Sequence, residues 1–508
     1  MPMDPHAAGA LVGVVGAGAM GRGIAQVAAA GGYRVLLTDS RPGAAAEARE
    51  FIAGMLRRAA EKGSMKPADA DAAVARIALA ESVAELKPCA LVIEAIVEDP
   101  AAKQALFAQL EGVVAEDCII ASNTSSLSVT ALASKLKRPG RFAGFHFFNP
   151  VPLMKLVEVI DGVRTEPWVR DALSAVGRRM GREPVEVRDA PGFLVNQVGR
   201  GFTIEAAHLV GEGIASFVEV DRIMRDLAGF RMGPFELMEL TGLDVTHPAT
   251  ELIYEQFYHE PRYRPSTLMA SRLAAGILGR KSGHGFYEYR DGKPVIPPEP
   301  AAPAARPSSV WVSAAEPDGH AALRPLLDKL GASVESGSRP SAGALCLVTP
   351  LGEDATTAAL AQGLDPRRTV AVDALFPLDK RRVIMGTPVT EPAVREAAHG
   401  LLAADGVPVT VIRDSPGFVA QRIVAMIANI GASIAQSRTA APADIDKATK
   451  LGLNYPHGPL GFADALDPRR VLTVLENMHR SYGDPRYRPG VWLARRARLG
   501  VSLLTPED

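Results

Sequence analysis

Short apolar runs alternate with stretches of helical period along the first part of the chain, which predicts strands of a sheet joined by helices. Leu11-Val-Gly-Val-Val15 is short and apolar, a small-residue helical pattern runs on to Ala30, and Tyr33-Arg-Val-Leu-Leu-Thr-Asp39 returns to a strand. Residues 42 to 70 read as a charged helical excursion carrying Arg57, Arg58, Lys62 and Lys66, the usual pattern of a solvated face. Cys89 to Val97 and Cys118 to Ser122 follow as buried strands. Next come the run Arg141-Phe-Ala-Gly-Phe-His-Phe-Phe-Asn-Pro150, an apolar alternation containing Glu158, and a strand ending near Arg188. From Asp189 the period becomes helical and stays so, with breaks, to about Leu278. Residues 291 to 309 are proline-rich and predict an extended, semi-rigid linker.

The second part repeats the first. Pro191-Gly-Phe193 recurs as Pro416-Gly-Phe418 and Gly233-Pro234 as Gly458-Pro459, both 225 residues on; Pro261-Arg-Tyr-Arg-Pro265 recurs as Pro485-Arg-Tyr-Arg-Pro489. Offsets of 225, 225 and 224 across three motifs indicate duplication. Carried upstream, the offset of 225 places Ala371 at the position of His146, Val383 at Glu158 and Gln421 at Asn196. No glycine turn follows Val310-Trp-Val312, so the second copy reads as degenerate and structural.

The glycine turn of the first copy is Gly16-Ala-Gly-Ala-Met-Gly21, between a strand and a helix, with Asp39 closing the next strand. Gly16 suits the tight turn, Gly18 the approach of a pyrophosphate, and Gly21 close packing of helix on strand, while an acid at Asp39 suits the ribose hydroxyls of NAD. Arg41 stands nearby. The fold expected is a Rossmann-type α/β domain over 9–188 and an all-α domain over 189–290. After the 291–309 linker come a degenerate Rossmann-like segment over 310–412 and a second helical domain over 413–508, the last a candidate pseudo-dimer partner of 189–290.

Composition narrows the class. A formal net charge of −1 with 22% charged residues speaks against a nucleic-acid surface. Cys89, Cys118 and Cys346 are far apart, so neither a disulfide framework nor a metal site is expected. No signal peptide or span of ~20 apolar residues is read, which gives the expectation of a cytoplasmic protein away from membranes.

The candidate chemistry lies in His146 and Glu158. Imidazole titrates near neutrality, and a carboxylate on its second nitrogen fixes the tautomer and stabilises the imidazolium. The opposing reading is a buried core histidine beside a solvated strand carboxylate. Asn123-Thr-Ser-Ser126, Glu98 and Lys103 fall at or just beyond other strand ends, where ligands of open α/β sheets bind.

These residues give the chain a resemblance to the NAD-dependent L-3-hydroxyacyl-CoA dehydrogenases over about residues 9 to 290. It is carried by GAGxMGxGIA, which includes Met20, by Ile93 to Glu98, Ser122 to Ser126, His146 to Pro152 and Pro191 to Phe193. With its degenerate second copy the chain is similar to the long bacterial members of phenylacetate and related aromatic degradation. The resemblance implies His146 as base and Glu158 as its orienter, with Ser125 and Asn196 contacting the substrate hydroxyl or the pair. Asn149, Glu98, Lys103 and Lys281 fall on cofactor-side positions, and Lys62 near the CoA moiety, where Met55 replaces a family serine. The activity implied is oxidation of an (S)-3-hydroxyacyl-CoA by NAD, with 3-hydroxyadipyl-CoA and 3-hydroxybutyryl-CoA both open. A dehydrogenase of a free hydroxy acid or sugar acid, and a noncatalytic NAD or acyl-CoA binder, are the alternatives. A homodimer and a monomer with an intrachain pseudo-dimer both remain open.

Overall fold

The computed structural model describes residues 4, 7 and 9–507. Eight strands form the first sheet: β1 (Leu11–Val15), β2 (Arg34–Thr38), β3 (Ile77–Leu79), β4 (Leu91–Glu94), β5 (Ile119–Ser122), β6 (Phe142–Phe147), β7 (Leu156–Asp161) and β8 (Glu183–Arg188). They lie in the order β3-β2-β1-β4-β5-β6-β7-β8. The order reverses between β1 and β4, which opens a crevice at the carboxyl ends of these strands. The sheet is parallel except for one pair: β6 and β7 run antiparallel, with His146 directly across from Glu158. The connection from Phe147 to Leu156 is short enough to turn the chain straight back, whereas a parallel return needs a crossover of a dozen residues or more.

The inner strands β4, β5 and β6 are buried along their whole length because both faces are covered, whereas the edge strand β8 mixes buried and exposed positions. Ile24, Ala25 and Ala28 of the helix Ala19–Ala30, and Val169, Leu173 and Val176 of the helix Pro167–Arg179, pack with Val12, Val14, Ile93, Phe145 and Val159 in one core. Each large side chain buried there contributes roughly 1.5–3 kcal/mol.

The short strands β9 (Tyr289–Arg290) and β10 (Lys293–Pro294) form a hairpin before the second sheet. That sheet contains β11 (Val310–Val312), β12 (Leu345–Val348), β13 (Thr369–Val372), β14 (Arg382–Gly386) and β15 (Val409–Ile412), in sequence order. Its pairings run parallel, parallel, antiparallel, parallel, the same series as β4 to β8. After β11 the helix Pro317–Lys329 is capped by Glu316, as Asp99 caps Pro100–Val113 after β4. The second copy has therefore lost the counterpart of β1 to β3 as a block, glycine turn included.

Within the sheet the offset of 225 fails at β13. β14 and β15 keep it, but the β13 ladder pairs Val372 with Ile384, and Asp373 N–H donates to the Val383 carbonyl at 3.0 Å. Asp373, not Ala371, thus stands across from Val383 as His146 stands across from Glu158. The cause is a connection two residues shorter: the first pair is separated by 12 positions (158 − 146) and the second by 10 (383 − 373).

The chain divides into two compact units, Met1–Asn196 with Ser437–Leu453, and Gln197–Gln436 with Asn454–Asp508. In the first, a piece of the second helical repeat joins the sheet: Arg188 N–H donates to the Thr439 carbonyl at 2.8 Å, and the helix Pro442–Leu453 brings Gly452 against Leu156 and Val195. In the second, the mirror-related bond forms, Arg413 N–H to the Ile214 carbonyl at 3.0 Å. The helices Val195–Gly211 and Ala420–Gln436 meet in that unit around Arg422, which is fully buried. Its guanidinium bonds Glu205 and holds Glu212 with two arms at 2.8 and 2.7 Å, while Arg486 and the Tyr487 hydroxyl also reach Glu205, each at 2.8 Å.

Candidate active site

The glycine turn is shaped by contacts that only hydrogen allows. Gly16 has φ +104°, and a Cβ there would lie 2.4 Å from the Ala95 carbonyl oxygen. At Gly21 a Cβ would fall on the Gly16 carbonyl, whereas Gly18 faces open space. The turn thus presses on β4 and on its own helix while leaving its outer side clear at the helix amino terminus, where backbone N–H groups favour an anion.

A cavity of about 800 Å³ lies along this edge, lined by Gly16, Gly18, Met20, Asp39, Ala95 and Ile96 among others. Asp39 ties the turn to β2: its Oδ2 accepts from Ala17 N–H at 2.6 Å and its Oδ1 from Arg41 N–H at 2.8 Å. Each oxygen keeps a second lone pair for a ribose hydroxyl. The residues present fit a dinucleotide.

Beside the turn, the end of β4 carries a buried ionic cluster that the sequence reading did not single out. Glu94 is buried; its Oε1 accepts from the Lys103 ammonium at 2.5 Å and Ile96 N–H at 2.7 Å, and its Oε2 from the Ser122 hydroxyl at 2.6 Å. Lys103 also lies 3.3 Å from Glu98. An acid ending a buried strand, with a lysine nine residues on in the next helix, was the available signal. Glu98 gathers the loop after β5: its Oε1 accepts from the Thr124 hydroxyl at 2.7 Å, Ser125 N–H at 2.8 Å and Ser126 N–H at 3.1 Å. Burial works against its charge, but the Lys103 ammonium and these hydrogen bonds outweigh burial and hold the Glu98 carboxyl below its ordinary value.

His146 and Glu158 face each other across β6 and β7, and His146 Nδ1 meets Glu158 Oε2 at 2.6 Å. Both are buried. Glu158 Oε1 also accepts from Leu194 N–H at 3.2 Å and Val195 N–H at 2.9 Å, at the amino terminus of the helix Val195–Gly211. The helix dipole adds to this anchoring. The His146 ring packs on Phe148 and Phe193, with centroids 4.4 and 5.9 Å away. With Nδ1–H given to the carboxylate, Nε2 is the nitrogen that can accept a proton.

Ser125 and Asn196 are brought together: Asn196 Nδ2 donates to the Ser125 carbonyl at 3.3 Å, and the Ser125 hydroxyl donates to Glu98 Oε1 at 3.3 Å. Asn149 lies exposed just past β6. A different amide, Asn123, holds the strand, its Oδ1 accepting from Phe147 N–H at 2.9 Å. Lys62 is exposed at the carboxyl end of the helix Ala44–Glu61, on which Met55 is half-buried. Lys281 belongs to the second unit and pairs with Asp244 at 2.5 Å. Among the described residues no group of three or more His, Cys, Asp or Glu is placed to hold a metal ion. No helix among them is long and apolar enough to cross a membrane.

A dinucleotide crevice beside a buried His–Glu pair defines an NAD-dependent dehydrogenase. Two family models match this chain: the NAD binding domain of 3-hydroxyacyl-CoA dehydrogenase over residues 11–190, and its C-terminal domain over 192–289 and again over 417–502. The chain is 35% identical to the 3-hydroxyadipyl-CoA dehydrogenase of Escherichia coli K12 over 489 residues, 96% of this chain and 97% of that one. It resembles the crystal structure of an Escherichia coli 3-hydroxybutyryl-CoA dehydrogenase with a TM-score of 0.85 at 34% identity, covering 96% of this chain and 98% of the other. It is also 40% identical to the mitochondrial hydroxyacyl-coenzyme A dehydrogenase of Sus scrofa over 283 residues, 54% of this chain and 90% of that one. The chain belongs to the 3-hydroxyacyl-CoA dehydrogenase family, and it is an oxidoreductase of that family.

Proposed function

We propose that the chain oxidises (S)-3-hydroxyacyl-CoA to 3-ketoacyl-CoA through His146, with 3-hydroxyadipyl-CoA as the preferred substrate. The observation that carries the reading is the 2.6 Å contact of His146 Nδ1 with Glu158 in a buried, aromatic setting. His146 Nε2 takes the proton of the 3-hydroxyl, and Glu158 stabilises the imidazolium. Bound NAD supplies the hydride acceptor. Gly16, Gly18, Met20, Gly21 and Asp39 would hold it, with Glu98, Lys103 and Asn149 as further cofactor-side residues. Ser125 and Asn196 orient the hydroxyl, Lys62 meets the CoA phosphates, and Lys281 matches a cofactor-side position of the family.

The near full-length match to a 3-hydroxyadipyl-CoA dehydrogenase supports the dicarboxylic substrate and a place in aromatic-ring catabolism. The similar structure named for 3-hydroxybutyryl-CoA keeps the short monocarboxylic substrate as the second reading. Three buried free cysteines suit a reducing, cytoplasmic setting. The second helical repeat serves as the intrachain partner of the first, supported by the buried Glu205–Arg422 contact.

The test is NADH formation with (S)-3-hydroxyadipyl-CoA and (S)-3-hydroxybutyryl-CoA in parallel. A higher kcat/KM for the dicarboxylate is expected. Preference for the butyryl ester would move the enzyme to short-chain metabolism, and NADH binding without turnover on either would overturn the reading.

A further inference from the structure

Arg41 follows Asp39 by two residues at the end of β2, the place from which an arginine can reach the 2′-phosphate of NADP. Here both arms of its guanidinium are taken: Nη1 donates to Glu47 Oε1 at 3.1 Å and Nη2 to Glu47 Oε2 at 2.6 Å. Glu47 sits in the first turn of the helix Ala44–Glu61, whose amino terminus itself favours an acid there. The Arg41 main-chain N–H is bound to Asp39 Oδ1 at 2.8 Å, so backbone and side chain are held from opposite ends by two carboxylates.

We infer that Glu47 is a cofactor-selectivity residue, which holds Arg41 in a bidentate pair and so withholds from NADP the cation its 2′-phosphate needs. This deepens the NAD reading above and rests on it. Asp39 repels a phosphate directly; Glu47 acts through Arg41. The two layers differ in what their loss does. Removing Asp39 deletes a ribose contact and harms NAD use, whereas removing the Glu47 charge leaves the NAD contacts intact and frees a guanidinium. A fork of this kind binds phosphate as readily as carboxylate. Both side chains are exposed, so the pair adds little to folding and the variant should fold as the parent does.

The experiment measures kcat/KM for NAD and NADP in parallel, on one 3-hydroxyacyl-CoA, for the full-length parent, Glu47→Gln, Arg41→Met and the double variant. Glu47→Gln should raise NADP kcat/KM about three- to fivefold, the most that release of an exposed ion pair supplies, and leave NAD kcat/KM unchanged. In the Arg41→Met background Glu47→Gln should give no gain. An unchanged NADP value, or a gain that survives Arg41→Met, overturns the inference. Absence of turnover with either cofactor in the parent would instead sink the dehydrogenase reading, so the two failures are told apart.

Discussion

Asp373 stands across from Val383 in the second sheet at the place His146 holds across from Glu158 in the first. It is fully buried; its Oδ1 accepts from Gln421 Nε2 at 2.9 Å and Leu375 N–H at 3.2 Å, and its Oδ2 is buried with no hydrogen-bond partner among the described residues. Gln421 in turn occupies the position of Asn196. The degenerate copy has kept the outline of a polar site without the histidine.

This carboxyl makes a pH prediction. Burial, opposed by the hydrogen bond from Gln421, raises its pKa from 3.8 to about 6. A raised acid pKa means the folded chain binds the proton more tightly, so the group's cost appears as pH rises through 3.8 and is complete above about 6. Roughly two units correspond to about 3 kcal/mol at neutral pH and about half of that at pH 5. Asp373→Asn should therefore raise the melting temperature relative to the parent, and the gain should be larger at pH 8 than at pH 5. Calorimetry at the two pH values checks it; an equal gain at both would show that charge is not the cause.

The His–Glu pair predicts a separation of chemistry from binding. His146→Ala should lower kcat by about 100- to 10,000-fold, the range typical of a lost general base. Glu158→Gln should lower kcat in the same direction, because an amide can turn its NH₂ toward Nδ1 and reverse the tautomer. NADH affinity, read by fluorescence titration, should stay within about twofold in both variants, since the dinucleotide crevice lies on other strands. A kcat near that of the parent in His146→Ala would remove the central assignment.

Much of this was legible in the sequence, and the failures have one physical kind. Gly16, Gly21 and Asp39 declared themselves because a turn packed on Ala95 excludes side chains locally. The His146–Glu158 pair was readable because two apolar runs close in sequence can return as neighbouring strands. Glu94 escaped notice because its partners Lys103 and Ser122 come from two other elements, so its burial is a tertiary fact. Asp373 was displaced because a two-residue shortening in a turn is invisible to a repeat matched on flanking motifs. The entry of Ser437–Leu453 into the first unit follows from no periodicity at all.

The buried cluster near β4 predicts coupling between stability and the cofactor side. Lys103→Met leaves Glu94 buried without its cation, a change that costs about 3–5 kcal/mol when one partner of a buried pair is removed. It also takes away the charge that helps hold Glu98 low, loosening the Thr124–Ser126 loop. A lower melting temperature together with a raised KM for NAD is expected, and steady-state kinetics on the folded fraction measures the second effect. Thermal loss with unchanged KM would confine Lys103 to a structural role.

The crossing of the two helical repeats yields an unequal pair of substitutions. Glu205 is the carboxylate shared by Arg422 and Arg486, and those two cations pull its pKa down to about 2 against the opposing effect of burial. Glu205→Gln strips the shared counter-charge from two buried guanidinium groups at once. Arg422→Gln, which installs the residue found at the matching position Gln197, leaves Glu205 with Arg486 at 2.8 Å and the Tyr487 hydroxyl at 2.8 Å. The first should cost about 3–5 kcal/mol and the second about 1–3 kcal/mol. Urea denaturation of both full-length variants gives the order. Because the folded pKa lies below the usual 4.5, the stabilisation from Glu205 is complete above pH 4.5 and declines as pH falls toward 2, so the gap between Glu205→Gln and the parent should narrow in acid. Equal costs for the two substitutions would mean that Arg486 does not share the carboxylate, and the polar link between the repeats would then rest on Arg422.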